Sequence, residues 1–212
     1  RYMGRRVNQI YGFTEPYSLP PPVMEKFQSA LDASAFSVPP GYEIIIGGEE
    51  ETRTEALGNL ASLAVPLVLI MAGAVALVFN SFRMALVILM TGGMSVGLAF
   101  GGVWMFNLPM GFNAIVGALG LLGISINSSI VVLSPLQGSE AARRDDVIAQ
   151  REIVVAATRH IVATTLTTMG GFVPIILTGD VFWLPLATAI AGGVAGSALL
   201  ALYFAPAVFR IM

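Results

Sequence analysis

Hydrophobic and polar positions divide the chain into two unlike parts. After residue 55 it runs in five long apolar segments, Ala56–Phe79, Met84–Phe106, Phe112–Leu133, Ile161–Thr178 and Leu184–Phe209. Each is close to the roughly 20 residues a helix needs to cross ~30 Å of hydrocarbon. Backbone groups in such segments are satisfied inside lipid only if the segments are helical, so the pattern predicts five transmembrane helices. The connectors Asn80–Arg83, Asn107–Gly111 and Gly179–Trp183 are short, which makes neighbouring helices antiparallel. The remaining connector, Ser134–His160, is long. Within it, Val147, Ile148, Ile153, Val154 and Val155 follow Arg143, Arg144, Asp145 and Asp146. That mixture predicts an amphipathic cytoplasmic interfacial helix near 140–158, with a solvated helical linker as the alternative.

Residues 1–55 follow other periods. Arg5–Phe13 alternates as a strand does. Ser18–Pro22 reads as a rigid connector, and Val23, Met24, Phe27 and Leu31 are spaced for a short amphipathic helix. Val38–Gly41 predicts a turn and Tyr42–Ile46 a second strand, ended by Gly47 and Gly48. A strand–helix–strand unit of this size cannot bury a core of its own. The expected fold class is therefore an all-α membrane helix bundle with a small extracytoplasmic α/β fragment at its N-terminus. The fragment takes residues 1–55 and the transmembrane domain residues 56–212. The chain opens on Arg1 in strand-like sequence, and so reads as a piece of something longer.

Charge sharpens this division. Only 11% of residues are charged against 56% hydrophobic. Arg83 is the one charge between Ala56 and Ser139, and Asp180 the one between Ile161 and Phe209. A soluble domain cannot expose such stretches to water, and a disordered chain would not contain them. The net charge of −2 gives no basic footprint for nucleic acid. The absence of cysteine excludes a disulfide scaffold, a thiolate zinc site and a cysteine nucleophile. With residues 1–55 outside, Arg83, Arg143, Arg144, Arg151, Arg159 and Arg210 all fall on the inner side, and the outer connectors hold only Asp180. The positive-inside rule then makes the N-terminal segment extracytoplasmic and Met212 cytoplasmic, with Trp104 and Trp183 at the outer boundary.

Candidate chemistry is sparse. Gly93, Gly97 and Gly101, then Gly117, Gly120 and Gly123, then Ala189, Gly193 and Ser197 give small-residue faces suited to close helix packing. The third span carries Ser125, Asn127, Ser128 and Ser129. The fourth carries Thr164, Thr165, Thr167 and Thr168. Hydroxyls can bond carbonyls of their own helix, but the Asn127 amide needs a partner on another helix or water. The two spans are expected to bring these groups to one buried place. No span contains an internal Asp, Glu, Lys, Arg or His, so none supplies a group that titrates within the membrane. No metal-ligand cluster, cofactor motif or acid–base pair is present, and an enzyme is not expected. His160 falls at the inner margin beside Arg159. Met84, Met90, Met94, Met105 and Met110 suit a lipid-facing helix.

Several motifs, in order, resemble the C-terminal part of resistance-nodulation-division (RND) efflux permeases. Val38–Ile44 through Gly47-Gly48-Glu49 is similar to the last porter-domain strand before the eighth membrane helix, and Asn107–Met110 to the loop before the tenth. Gly123–Val131 resembles the G-I-V-V-N-N-A-I-V pattern of the tenth helix, and Arg159–Thr168 the R-P-I-L-M-T-T-L-T-T start of the eleventh. Pro185–Ala187 through Pro206-Ala207 resembles the twelfth. The resemblance implies efflux driven by the proton-motive force. It also implies a multi-pass protein of the bacterial inner membrane, a homotrimer, and a periplasmic adaptor and outer-membrane channel as partners. It implies a proton relay completed by Asn127, with Ser128 beside it, and by Thr164, with Thr165 next to it. The aspartates of that relay would stand on a fourth helix outside this chain. Here Ser128 and Ser129 replace the usual Asn-Ala, and His160 the usual Pro. The alternative expectation is a non-transporting membrane scaffold or translocation-accessory module of the same superfamily.

Overall fold

The computed structural model describes residues 8, 10–13, 15, 18, 20–34, 36–42, 44 and 49–211. The chain divides into two compact units, Arg1–Glu51 and Thr52–Met212.

In the first unit the expected helix is present as α1 (Pro20–Ala33). Its first turn is formed by the prolines read above as a connector. Proline suits that turn because the first N–H groups of a helix have no intrahelical partner. The Val38–Gly41 turn is also present. Tyr42 N–H donates to the Pro39 carbonyl at 3.1 Å, and Gly41 sits at φ +87°, the geometry of a type II turn with proline before glycine. The α/β fragment is not supported. Among the described residues there is no strand, and Asn8, Ile10–Phe13, Tyr42 and Ile44 are irregular. The rest of the two expected strands lies outside the described residues. Ile10 and Phe13 are almost fully exposed. Alternation makes a strand only where a neighbour takes up the ladder and a face is covered.

The second unit is all-helical among its described residues. It contains α2 (Glu49–Phe79) from Thr52 on, α3 (Phe82–Met105), α4 (Phe112–Gly138), the short α5 (Glu140–Arg143), α6 (Val147–Thr178), α7 (Leu184–Leu199), a π turn (Leu200–Phe204) and α8 (Ala205–Ile211). Among the described residues, five stretches are long and apolar enough to cross a membrane: α2 from Glu55 on, α3, α4, α6 and the run from α7 through α8.

The connections follow from residue type. α2 ends with Asn80 at φ 46°, α3 with Asn107 at φ 53° and α5 with Asp145 at φ 65°. In all three, the following N–H reaches back five residues, from Ser81 to Ala76, Leu108 to Val103 and Asp146 to Ala141. This is a Schellman closure in the left-handed region that Asn and Asp tolerate best among residues with a side chain. Ser81 then caps α3 through the Met84 N–H, and Asp146 caps α6 through the Ile148 and Ala149 N–H groups. The Asp145–Asp146 pair also decides the long connector. The interfacial segment expected near 140–158 is two pieces. α5 stops at the turn, and α6 starts beyond it and continues without a break through the fourth span.

α7 is the central helix, packed against α3, α4 and α6, while α3 also packs on α4. Close approach depends on absent side chains. A Cβ on Gly117 would lie 2.9 Å from the Leu186 carbonyl oxygen, and one on Gly193 would lie 2.0 Å from Leu121 Cδ2. By contrast, a Cβ on Gly93, Gly97 or Gly101 would meet nothing within 4 Å among the described residues. α2 and α6 lie at the margins, with 11% and 6% of their most apolar stretches buried, against 56% in the α7–α8 run. Near the end of the last span, Pro206 cannot donate an N–H, and its ring crowds the carbonyl four residues back. The π turn accommodates it, with the Ala205 N–H reaching the Leu200 carbonyl.

Candidate functional site

The interior of the bundle has three layers. One apolar cluster gathers Phe79, Met84, Ile88, Leu133, Leu136 and Ala205. A second gathers Ala99, Val103, Ala118, Leu121 and Val194. Along α3, α4 and α7 the residues between them are Thr91, Ser95, Ser125, Ser129 and Ser197, each at most 1% exposed. The buried polar place is therefore shared chiefly by α3 and α4. Thr91 and Ser129 hydroxyls are 2.7 Å apart, and Ser125 Oγ donates to the Thr91 carbonyl at 3.4 Å. Thr91, Ser95, Ser129 and Ser197 also bond carbonyls of their own helices, at 2.7, 2.6, 3.0 and 2.9 Å. All five hydroxyls are satisfied, which is what a water-excluding interior requires. Thr91 and Ser95 were not singled out from the sequence. Their signal is a four-residue spacing on the second span that matches Ser125 and Ser129 on the third.

Asn127 lies elsewhere. Two residues from both Ser125 and Ser129, it is about 200° around α4 from each of them. It is exposed, and its carboxamide has no hydrogen-bond partner among the described residues. Gly120, Gly123 and Ser134 share this outward face, and a Cβ on either glycine would meet nothing within 4 Å. The result is a small-residue surface with one amide near mid-helix.

Ser128 is half-buried and donates to the Ile124 carbonyl at 3.0 Å. Thr164 and Thr165 are half-buried on α6. Thr164 Oγ1 donates to the His160 carbonyl at 2.9 Å, and Thr167 Oγ1 reaches the Ala163 and Thr164 carbonyls at 2.9 and 3.0 Å. The Ser128, Thr164 and Thr167 hydroxyls are thus satisfied locally. No hydrogen bond joins Asn127 to Thr164 or Thr165 among the described residues, so the expected meeting of amide and threonine hydroxyls is not formed within this chain. The common buried spot is the Thr91–Ser125–Ser129 layer instead.

The two ends of the bundle differ in chemistry. At one end, Gln137 Nε2 donates to the Phe79 carbonyl at 2.7 Å, and Arg210 Nε donates to Asp145 Oδ1 at 3.0 Å. The Arg83 and Arg143–Arg144 regions gather at the same end. At the other end, Asn113 Nδ2 donates to the Phe182 carbonyl. There Asp180 Oδ1 accepts from the Phe182 and Trp183 N–H groups at 2.8 and 3.1 Å, fixing the turn into α7. No group of three metal-ligating side chains occurs among the described residues.

The sequence profile described as the AcrB/AcrD/AcrF family matches residues 1–212. The cobalt-zinc-cadmium resistance protein CzcA of Cupriavidus metallidurans is 28% identical over 188 residues, covering 84% of this chain and 17% of the relative. The multidrug resistance protein MdtC of Photorhabdus laumondii is 29% identical over 226 residues, covering 92% of this chain and 21% of the relative. A crystal structure of a heavy metal efflux pump (crystal form II) is similar in fold, with a TM-score of 0.67 and 18% identity, over 89% of this chain and 19% of that one. The chain spans about a fifth of the length of these relatives.

Proposed function

The chain belongs to the AcrB/AcrD/AcrF family, the RND efflux transporters, and from that premise we propose that it forms a membrane part of a pump driven by the proton-motive force. The supporting observation is Asn127, an unpartnered carboxamide on an open small-residue face in the middle of an apolar helix. An amide left without a partner in hydrocarbon costs several kcal/mol, so this face calls for a polar group on another helix. In the proposed mechanism that group is a carboxylate outside this chain. Ionised, it accepts hydrogen bonds from the Asn127 Nδ2 donors. Protonated, it gives up its charge and with it about half of that bond's strength. The helix carrying it then repacks along the glycine-lined face of α4. Thr164 serves the same relay from α6 once its bond to the His160 carbonyl opens, with Thr165 next to it and Ser128 beside Asn127.

The arginine-bearing end of the bundle faces the cytoplasm of a bacterial inner membrane, and the Asn107 and Asp180 turns face the periplasm. The full protein works as a homotrimer with a periplasmic adaptor and an outer-membrane channel. The cargo is of the kind the relatives' names carry, metal cations or drugs.

The test is Asn127→Leu in the full-length protein, with efflux measured at matched expression. Loss of a hydrogen bond to a charged group, about 1.5–3 kcal/mol, predicts a rate at least about tenfold lower. Unchanged efflux would remove Asn127 from the relay, and absence of any proton-coupled efflux in the unmodified protein would favour the scaffold alternative.

A further inference from the structure

The arginine-bearing end of the second unit holds a cleft that the transport reading does not use. Its volume is about 260 Å³, and its walls include Met84 of α3, Phe209 and Arg210 of α8, Arg143 of α5, and Asp145 and Gln150 at the entry to α6. The floor is apolar, with Met84 buried and Phe209 half-buried. The mouth carries two guanidinium groups and one carboxylate. Arg210 and Asp145 are paired at 3.0 Å and more than half exposed, and Gln150 Nε2 is engaged by the Ala142 carbonyl at 2.8 Å. Arg143 has no ion-pair partner among the described residues. Its neighbour Arg144 pairs with Glu140 at 3.6 Å and does not line the cleft. The nearby Asp146 carboxylate accepts N–H groups of α6.

We propose that this cleft binds the phosphodiester headgroup of an anionic phospholipid. The phosphate sits between Arg143 and Arg210, and the start of an acyl chain lies along Met84 and Phe209. Two observations favour a lipid over a soluble anion. The cleft opens where the membrane-crossing helices end, and its floor offers an apolar surface that a free ion has no use for. Among the described residues Asp145 engages only Arg210 Nε, so the terminal N–H donors of the guanidinium remain for an anion's oxygens. This inference does not depend on the transport mechanism. An arginine near a membrane surface favours anionic lipid by about fivefold.

The test uses the full-length protein reconstituted with mixtures of phosphatidylglycerol and phosphatidylcholine. Lipid retained through detergent extraction is counted by native mass spectrometry. Phosphatidylglycerol is expected to be retained in preference. Arg143→Gln lowers that preference about fivefold, and Arg210→Gln at least as much, because it also releases the Asp145 carboxylate into the cleft. Asp145→Asn tolerates the same left-handed backbone and raises the preference, a gain that misfolding cannot mimic. Arg144→Gln leaves it unchanged, and excess inorganic phosphate does not displace the lipid. Equal losses for Arg143→Gln and Arg144→Gln would reduce the site to diffuse surface charge. A loss on Asp145→Asn, or displacement by phosphate, would equally overturn it.

Discussion

Thr91 Oγ1 and Ser129 Oγ have two protons between them and three contacts to serve: the Ile88 carbonyl, the Ser125 carbonyl and each other. One contact is always without its proton, so the pair is adaptable and no single bond in it is indispensable. Thr91→Val, which keeps the shape and removes the hydroxyl, leaves Ser129 its Ser125 acceptor. The expected loss is about 0.6 kcal/mol, and at most about 1.7, the range for hydrogen bonds between membrane helices. Reversible unfolding in mixed micelles measures it, and a larger loss would show that this layer holds more than a helix pair. At this scale the sequence was half legible. It marked Ser125, Asn127, Ser128 and Ser129 as the polar part of the third span. It did not separate the buried pair from the outward amide, because every face of that helix is otherwise apolar and a membrane helix has no polar side to give its direction away.

The helix ends at Asn80, Asn107 and Gly179 were legible, and helix faces were not. Asn80, Asn107, Asp145 and Gly179 all stand where a helix stops, each in the left-handed conformation their chemistry permits. The Asp145–Asp146 stop was missed, because apolar residues on both sides of it suggested one continuous interfacial helix. The three small-residue stripes look alike in sequence and have different fates. Ala189, Gly193 and Ser197 are buried at the centre of the bundle, whereas Gly93, Gly97 and Gly101 face outward. Gly193→Ala would place its Cβ 2.0 Å from Leu121 Cδ2 and 3.0 Å from Ala99 Cβ. The expected destabilisation is about 1–3 kcal/mol, the cost of overpacking a tight core. Gly97→Ala should be near neutral in the same micelle unfolding experiment. A cost at Gly97 equal to that at Gly193 would mean that the outward stripe is covered in the full protein.

Across the whole molecule, five charge-poor stretches were enough to count the spans. Residues 1–55 resisted the same treatment, because alternation there was read as strand without a partner to pair with. The proposed orientation can be checked directly, since this chain contains no cysteine. In a full-length protein cleared of any others, a cysteine at exposed Asn107 should react with an impermeant thiol reagent added outside spheroplasts. One at exposed Glu140 should react only after permeabilisation. The reverse pattern would invert the arrangement.

The π turn near the end of the last span has a geometrical consequence. One extra residue in a turn acts as a phase shift, carrying everything beyond it about 100° around the helix axis relative to an uninterrupted α-helix. Arg210 lies beyond that offset and Asp145 does not. The clasp between the chain's last helix and the α5–α6 corner is therefore set by the winding of a few residues around Pro206. Rewinding that turn would swing the guanidinium off its carboxylate and carry Val208 and Phe209 off the core they pack against.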